Sequence, residues 1–508
     1  MITKALQQRY LSATLLVLGA HLSLVCFTRL FPFLDMPNHL ALATLYRFFN
    51  NPNTVFKHYY ALDLSFKPNV FHMVFCGSSL FPSVEFANKV FYCSYQVLFA
   101  GVAFLILRAL NGSRWYVLLV PLLFYNCNVS YGFVGCAIAI PFVLAVLWGM
   151  LRDVQGAGWW NRVMVASVLV LLFFMHALMA GFALAMFCCW VALRYHRHWK
   201  AALARAVCVV PAAVLLATWW MRDSAAYTGP GMLSALREYY WHAYFPKLFL
   251  RAGFLVHDNF RFWGGLIGYG GALVFAVIII ACAGVPLWHH RHHKNHAAVL
   301  QPVVVFFVCS ALCLLLFPDV LPGYSFLFER FSVFVMLSFI FIGSLYGSRR
   351  PSRWFPLLVV SASCLHFLMW ADCLQSFNEE NREFTAAFLS PAQPQATLAA
   401  LPYDYRFRQF SVYDNFADYF IVWNKGIAVT RTIDERSFPV RRIVDKEVLP
   451  AHLEWVGKSN AYDGRYNNMD YILVRGEVPE KDSAYFEGYR LVRRAGKWKL
   501  FEKCGNVR

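Results

Sequence analysis

Acidic residues are scarce over most of this chain. Of its 508 residues 46 are Lys or Arg and 28 are Asp or Glu, but residues 1–374 hold only ten acids against 26 bases. Residues 375–508 hold 18 acids against 20 bases, so the net charge of +18 belongs almost wholly to the first part. Nucleic-acid binding would need that excess gathered on one exposed module. Here it is scattered through short connections between apolar runs, and no nucleic-acid partner is expected. No Cys-x-x-Cys pair, Gly-rich phosphate loop or solenoid-type repeat occurs. Most of the fourteen cysteines lie in or beside apolar runs, where a thiol acts as a small apolar group. Cys504 is the only cysteine of residues 375–508, which excludes a disulfide within that segment. The histidines between His289 and His296 match no defined metal-site spacing.

Long hydrophobic runs are what the sequence has in abundance. The chain is 59% hydrophobic with a mean hydropathy of +0.47, the composition of a polytopic membrane protein. Hydropathy places about eleven spans. They cover 10–30, 84–107, 115–131, 132–151, two halves of 163–195, 201–220, 263–288, 298–317, 330–347 and 354–372. The 163–195 run is too long for one ordinary span, and its break is expected at 179–181. The first run follows Lys4 and Arg9 but ends without a small-x-small cleavage site, so it reads as a retained helix.

Loop charge orients these spans. With the N-terminus inside, the basic clusters Arg194 to Lys200, His289 to Lys294 and Arg349 to Arg353 all fall on the cytoplasmic side. An odd number of spans leaves residues 375–508 outside. Tyr471-Ile-Leu-Val474, Tyr489-Arg-Leu-Val492 and Trp498-Lys-Leu-Phe501 read there as strands of a small α/β or α+β domain. The expected organisation is a membrane domain 1–374, with outer segments at about 31–83 and 221–262, and a soluble domain 375–508, joined by a linker at Gln393-Pro-Gln. Of the ten acids in the membrane part, only Asp153 falls inside, which directs the search for chemistry to the outer face.

The stretch Phe31-Pro-Phe-Leu-Asp35-Met-Pro37-Asn38-His39 stands where the chain first leaves the membrane. Pro37 suits the first turn of a new helix, which puts Asp35 at or beside its cap and His39 one turn on. Asp35 is then either a helix cap or a carboxylate free for chemistry. The second outer segment sets Arg237, Lys247, Arg251, His257 and Asp258 among tyrosines and tryptophans. That composition fits an aromatic belt or a cradle for an anionic lipid headgroup. His176 sits at membrane depth, where an interhelical hydrogen bond or a wet cavity would accommodate it. Asn128, Tyr131 and Gly132 form a polar, small-residue turn expected outside near Asp35, suited to a tight hairpin or to bonding sugar hydroxyls. Arg330 opens the tenth span from the outer side and needs either Glu329 or a phosphate as partner.

This layout resembles the GT-C superfamily of membrane glycosyltransferases. The likeness lies in one span, a first outer loop with an acid, a long outer loop between the seventh and eighth spans, and an outer C-terminal domain. In motif it rests on Asp35 alone. The resemblance implies sugar transfer from a polyprenyl-phosphate carrier to a glycan, lipid or protein acceptor at the outer face of the cytoplasmic membrane. It makes Asp35 the general base and His39 its orienting neighbour. The cations named above, with Arg330, His257, Asp258, Asn128 and Tyr131, would be substrate contacts. The paired acid usual in the family is missing from Asp35-Met-Pro, so no metal or other cofactor is expected. An outer-face polysaccharide polymerase or ligase, and a non-catalytic transporter or structural protein, are the competing readings. Topology is the direct test: reporter fusions after Lys200, His296 and Arg353 should read inside and one at Gly464 outside, whereas a cytoplasmic reading at Gly464 would remove one span.

Overall fold

The computed structural model describes residues 2–225, 232–240, 244–260, 265–290, 297–321, 324–347, 354–390, 396–431, 438–454, 456 and 460–505. Residues 291–296, 348–353 and 391–395, which include most of two basic clusters expected inside and most of the expected linker, lie outside the described residues, as do Trp241, His242 and Arg261. Among the described residues nine helices are long and apolar enough to cross a membrane. They are Tyr10–Phe27, Val84–Ala109, Val134–Val154, Ala177–Tyr195, Trp199–Arg222, Ile267–Trp288, Ala298–Leu316, Glu329–Tyr346 and Trp354–Glu380. Each falls on an expected span, and the chain is a multi-pass helical membrane protein.

Two expectations change in detail. The 163–195 run does divide, but at His176 rather than at 179–181, into Trp159–Met175 and Ala177–Tyr195. His176 is a single extended residue (φ −165°, ψ 119°), and its N–H still donates to Leu172 O while its carbonyl accepts from Ala180. The two backbone hydrogen bonds of His176 itself are therefore kept across the break. The 115–131 run is not one α-helix. It forms a 3-10 helix Arg114–Leu123 containing Pro121, then a short helix Cys127–Ser130. Residues 116–123 are buried in protein. Hydropathy cannot tell such a core segment from a lipid-facing span, because both are simply apolar.

The chain packs as two units. The first comprises Met1–Phe27, Tyr92–Ser130 and Gly135–Ala371. Its interior holds the 3-10 helix and the close approach of Gly265–His290 to Ser332–Tyr346. At Gly343 an added Cβ would lie 2.7 Å from the Cys282 carbonyl, so only a residue without one fits. Tyr116 Oη donates to the same carbonyl at 2.7 Å.

The second unit comprises Thr28–Phe91, Tyr131–Val134 and Asp372–Arg508. Its centre is a five-stranded mixed sheet in the order Tyr489–Ala495, Trp498–Lys503, Tyr471–Arg475, Thr397–Pro402, Ile427–Ala428. The first three strands run antiparallel, and the last two pair in parallel. All three strands expected from the tail sequence are present. Trp498 anchors the core, stacked on Phe416 with ring centroids 5.2 Å apart. The first segment expected outside belongs to this unit. Tyr60–Leu62 pairs antiparallel with Val440–Arg442, and the helix Met36–Phe48 packs against Phe71–Gly77 and Asp418–Asn424. At its start Arg29 donates to the carbonyls of Phe384 (2.7 Å) and Asn381 (2.5 Å). Leu30 and Asn378 exchange hydrogen bonds of 2.8 and 2.9 Å.

Candidate functional site

Asp35 is the residue before the helix Met36–Phe48, with Pro37 in the first turn as expected. Its side chain nevertheless makes no capping hydrogen bond. The reason is backbone geometry. Met36 N–H donates to Phe33 O at 3.1 Å, which makes Asp35 the third residue of a tight turn with φ −93° and ψ 1°. A capping residue is normally extended, and this bridge-region conformation aims the carboxylate elsewhere. Asn415 Nδ2 meets it instead, donating to Asp35 Oδ1 at 3.1 Å and to Leu34 O at 3.0 Å. Asp35 N–H donates to Tyr131 O at 3.0 Å. Asp35 is half-buried, while Asn415 is buried.

Gly132 explains how the backbone of Tyr131 comes so near. Its φ is +83°, and an added Cβ would stand 2.9 Å from both Asp35 N and Met36 N. The 131–134 turn does lie beside Asp35, as its small residues suggest, with the Tyr131 ring stacked on Phe133. Asn128 belongs to the other unit, where its Nδ2 donates to Arg330 O at 3.2 Å.

A second carboxyl group comes from far along the chain. Asp418 is 1% exposed and opens the helix Asp418–Asn424. Thr430 Oγ1 lies 3.1 Å from Asp418 Oδ2 and 3.2 Å from Asn38 Oδ1. Burial pushes the Asp418 carboxyl well above the usual carboxylate range; the contact with Thr430 opposes this, and the charge of Asp35 adds to it. No acid stands next to Asp35 in the sequence, yet a second acid does influence this site. Nothing in the tail sequence flagged it, although an acid inside the apolar run 416–423 requires a partner once buried.

His39 lies one turn along the helix. Its ring meets His72 edge-on at 5.7 Å and Phe438 at 6.1 Å. Burial, and then the neighbouring His72, lower its pKa to about 3, so it is neutral at ordinary pH. His72 bonds Asn88 Oδ1 through Nε2 at 3.0 Å, and burial lowers its pKa to about 4. Among the described residues no group of three or more His, Cys, Asp or Glu side chains is placed to hold a metal ion.

The expected cations fall in the first unit and differ in what they do. Arg237 is exposed on the helix Met232–Glu238. Lys247 Nζ pairs with Asp319 at 2.5 Å, and that hydrogen bond raises its pKa. Arg251 is fully buried and donates to the carbonyls of Leu314 (2.9 Å) and Leu315 (3.0 Å) at the end of the helix Ala297–Leu316, and to Tyr239 Oη (2.7 Å). Phe328 covers its guanidinium at 4.2 Å. The negative end of a helix and an aromatic face together accommodate that charge. Arg330 is half-buried and donates to Phe326 O (2.9 Å), Ser325 O (3.2 Å), Cys136 Sγ (3.0 Å) and His176 Nε2 (2.9 Å). An arginine can only donate, so Nε2 of His176 accepts and its proton sits on Nδ1. His257 stacks on Tyr269 at 5.2 Å, and Asp258 opens the 3-10 turn Asp258–Phe260, its side chain lying outside the described residues.

No family model matches the chain, and no curated protein matches it. Among solved structures it is similar to the crystal structure of ArnT from Cupriavidus metallidurans in the apo state. The TM-score is 0.47 at 14% identity, over 99% of this chain and 98% of that one.

The role of Gly132 can be measured against a control. Gly156 has the same φ of +83° but nothing within 4 Å of its added Cβ. Gly132→Ala and Gly156→Ala therefore share the backbone penalty of about 1 kcal/mol, and only the first also collides with the Asp35 backbone. Thermal unfolding should show a larger loss for Gly132→Ala; equal losses would mean the close approach has no energetic weight.

Proposed function

We propose that this protein is a membrane glycosyltransferase that moves a sugar from a polyprenyl-phosphate carrier to an acceptor hydroxyl at the outer face of the cytoplasmic membrane. Asp35 serves as general base. The observation that carries this reading is that the Asp35 carboxylate is withheld from its helix cap and instead held by Asn415 through one oxygen. A carboxylate serving only as a cap would face the first turn of its own helix. The span layout, with the acid directly after the first span and a strand-containing tail, supports the same reading through its GT-C-like order.

The chemistry asked of Asp35 is modest and specific. As the acceptor oxygen bonds to the anomeric carbon, its proton passes to a carboxylate oxygen of Asp35. The bond from the anomeric carbon to the carrier phosphate breaks, and the electron pair leaves on the phosphate oxygen. Attack opposite the leaving phosphate inverts the anomeric centre. Arg237 and Lys247 are assigned to the carrier phosphate, as cations of the expected outer connections; Arg330, like Arg251, is committed to protein acceptors. Arg251, committed to helix carbonyls, holds the Tyr239 hydroxyl and lies against the Phe328 ring. His39 is neutral and offers a ring nitrogen to an acceptor hydroxyl. No metal or cofactor enters the proposal, and the sugar acceptor class stays glycan, lipid or protein.

Asp35→Asn separates base from scaffold. Asparagine accepts the Asn415 hydrogen bond through its carbonyl oxygen but takes no proton. A general base contributes on the order of a hundredfold or more in rate. Transfer from a polyprenyl-phosphate sugar by Asp35→Asn should fall by at least that factor with the unfolding temperature unchanged; transfer near the wild-type rate would move the base elsewhere.

A further inference from the structure

Asp418 lies in the part of the chain farthest in sequence from the first outer segment, and it is buried beside the start of the helix that follows Asp35. Thr430 joins the two regions. Its single hydroxyl stands within hydrogen-bond distance of Asp418 Oδ2 (3.1 Å) and of Asn38 Oδ1 (3.2 Å). A hydroxyl has one proton to donate, so two acceptor oxygens cannot both be satisfied by it. If the Asp418 carboxyl carries a proton, the count closes: Asp418 donates to Thr430, and Thr430 donates to Asn38. If Asp418 is ionised, Thr430 must donate to it, and Asn38 must turn its amide nitrogen toward the hydroxyl oxygen. An ionised carboxylate would then be buried at 1% exposure, with its other oxygen lacking a hydrogen-bond partner. That is the costly arrangement.

We infer that Asp418 is a positioning residue: as a neutral acid it donates through Thr430 to Asn38, and this chain of hydrogen bonds locks the helix start that carries Asp35. With Asn415, the tail segment 415–430 then holds both the carboxylate and the helix behind it. The consequence for catalysis rests on the proposed role of Asp35; the lock itself does not. The buried state fits the direction of the Asp418 titration, whose causes are burial above all and the nearby charge of Asp35. The titratable groups that face Asp418 among the described residues are Asp35 and Tyr60.

The sign of the pH effect follows from linkage. A carboxyl group whose pKa is raised by folding binds a proton in the folded state that the unfolded chain releases above its ordinary value of 3.8. Its contribution to stability is present at low pH and is lost as pH rises toward the folded value. An asparagine at 418 has no such proton to bind, yet its amide N–H donates to Thr430 as the acid does.

The test uses the full chain in detergent and three variants, Asp418→Asn, Asp418→Ala and Thr430→Val, with thermal unfolding followed from pH 4 to pH 7. Asp418→Asn should unfold at or above the wild-type temperature at pH 7, with its advantage shrinking toward pH 4. Asp418→Ala and Thr430→Val should unfold below Asp418→Asn throughout. If Asp418→Asn is as destabilised as Asp418→Ala at pH 7, Asp418 acts as an ion and the inference is overturned. If Thr430→Val unfolds at the wild-type temperature, there is no relay. Transfer from a polyprenyl-phosphate sugar supplies the second readout. Thr430→Val should lower kcat on the order of tenfold with the donor KM unchanged, and Asp418→Asn should recover most of what Asp418→Ala loses. A wild-type kcat in Thr430→Val would overturn the positioning role. Active Asp35→Asn alongside intact unfolding results would instead overturn the base assignment and leave the lock standing.

Discussion

One amide organises the segment that matters most. Asn415 Nδ2 reaches both Leu34 O and the Asp35 carboxylate. It ties down a turn whose geometry already denies Asp35 its usual role at a helix start. Like a cap made by the same carboxylate, this is a charge-assisted hydrogen bond, worth about 1.5–3 kcal/mol where a neutral one adds about 1 kcal/mol. Tyr131 O on the Asp35 N–H and the missing side chain of Gly132 complete the frame. The carboxylate is thus fixed in a half-buried residue.

The fixation is non-local, and that has an energetic logic. The turn buries its own apolar side chains, Phe33, Leu34 and Met36, but four residues make no core by themselves. Here it borrows a core: Arg29 and Leu30 bond to residues 378–384, Tyr60–Leu62 adds a strand to Val440–Arg442, and Met36–Phe48 lies on Asp418–Asn424. Ordering a loop costs about 1–2 kcal/mol per residue, and it is the packing of the tail that meets this cost. The cations of the first unit show the complementary case. Arg251 satisfies the end of a helix, so its charge is structural, whereas Arg237 is exposed.

What the sequence revealed follows from how local each signal is. The spans announce themselves by hydropathy, the tail strands by short runs rich in aromatic and aliphatic residues, and the helix start by Asp35 and Pro37. The division of the 163–195 run was legible from its length, but its place at His176 rather than at 179–181 was not. What stayed hidden was every partnership across hundreds of residues. Asn415 and Asp35 are separated by 380 positions, and Thr430 and Asn38 by 392. No periodicity encodes such a pairing. The same limit blurred the cations, since an arginine among aromatics reads alike whether it waits for a phosphate or closes a helix. The run 115–131 misled for a different reason: burial in protein and burial in lipid select the same residues.

A protein that acts on a lipid-linked sugar must bind the carrier, and the carrier itself can be sought directly. Native mass spectrometry of the full chain, released gently from detergent, should reveal a bound polyprenyl phosphate or its glycosylated form. Protein carrying only bulk phospholipid, even after incubation with polyprenyl phosphate, would contradict the account.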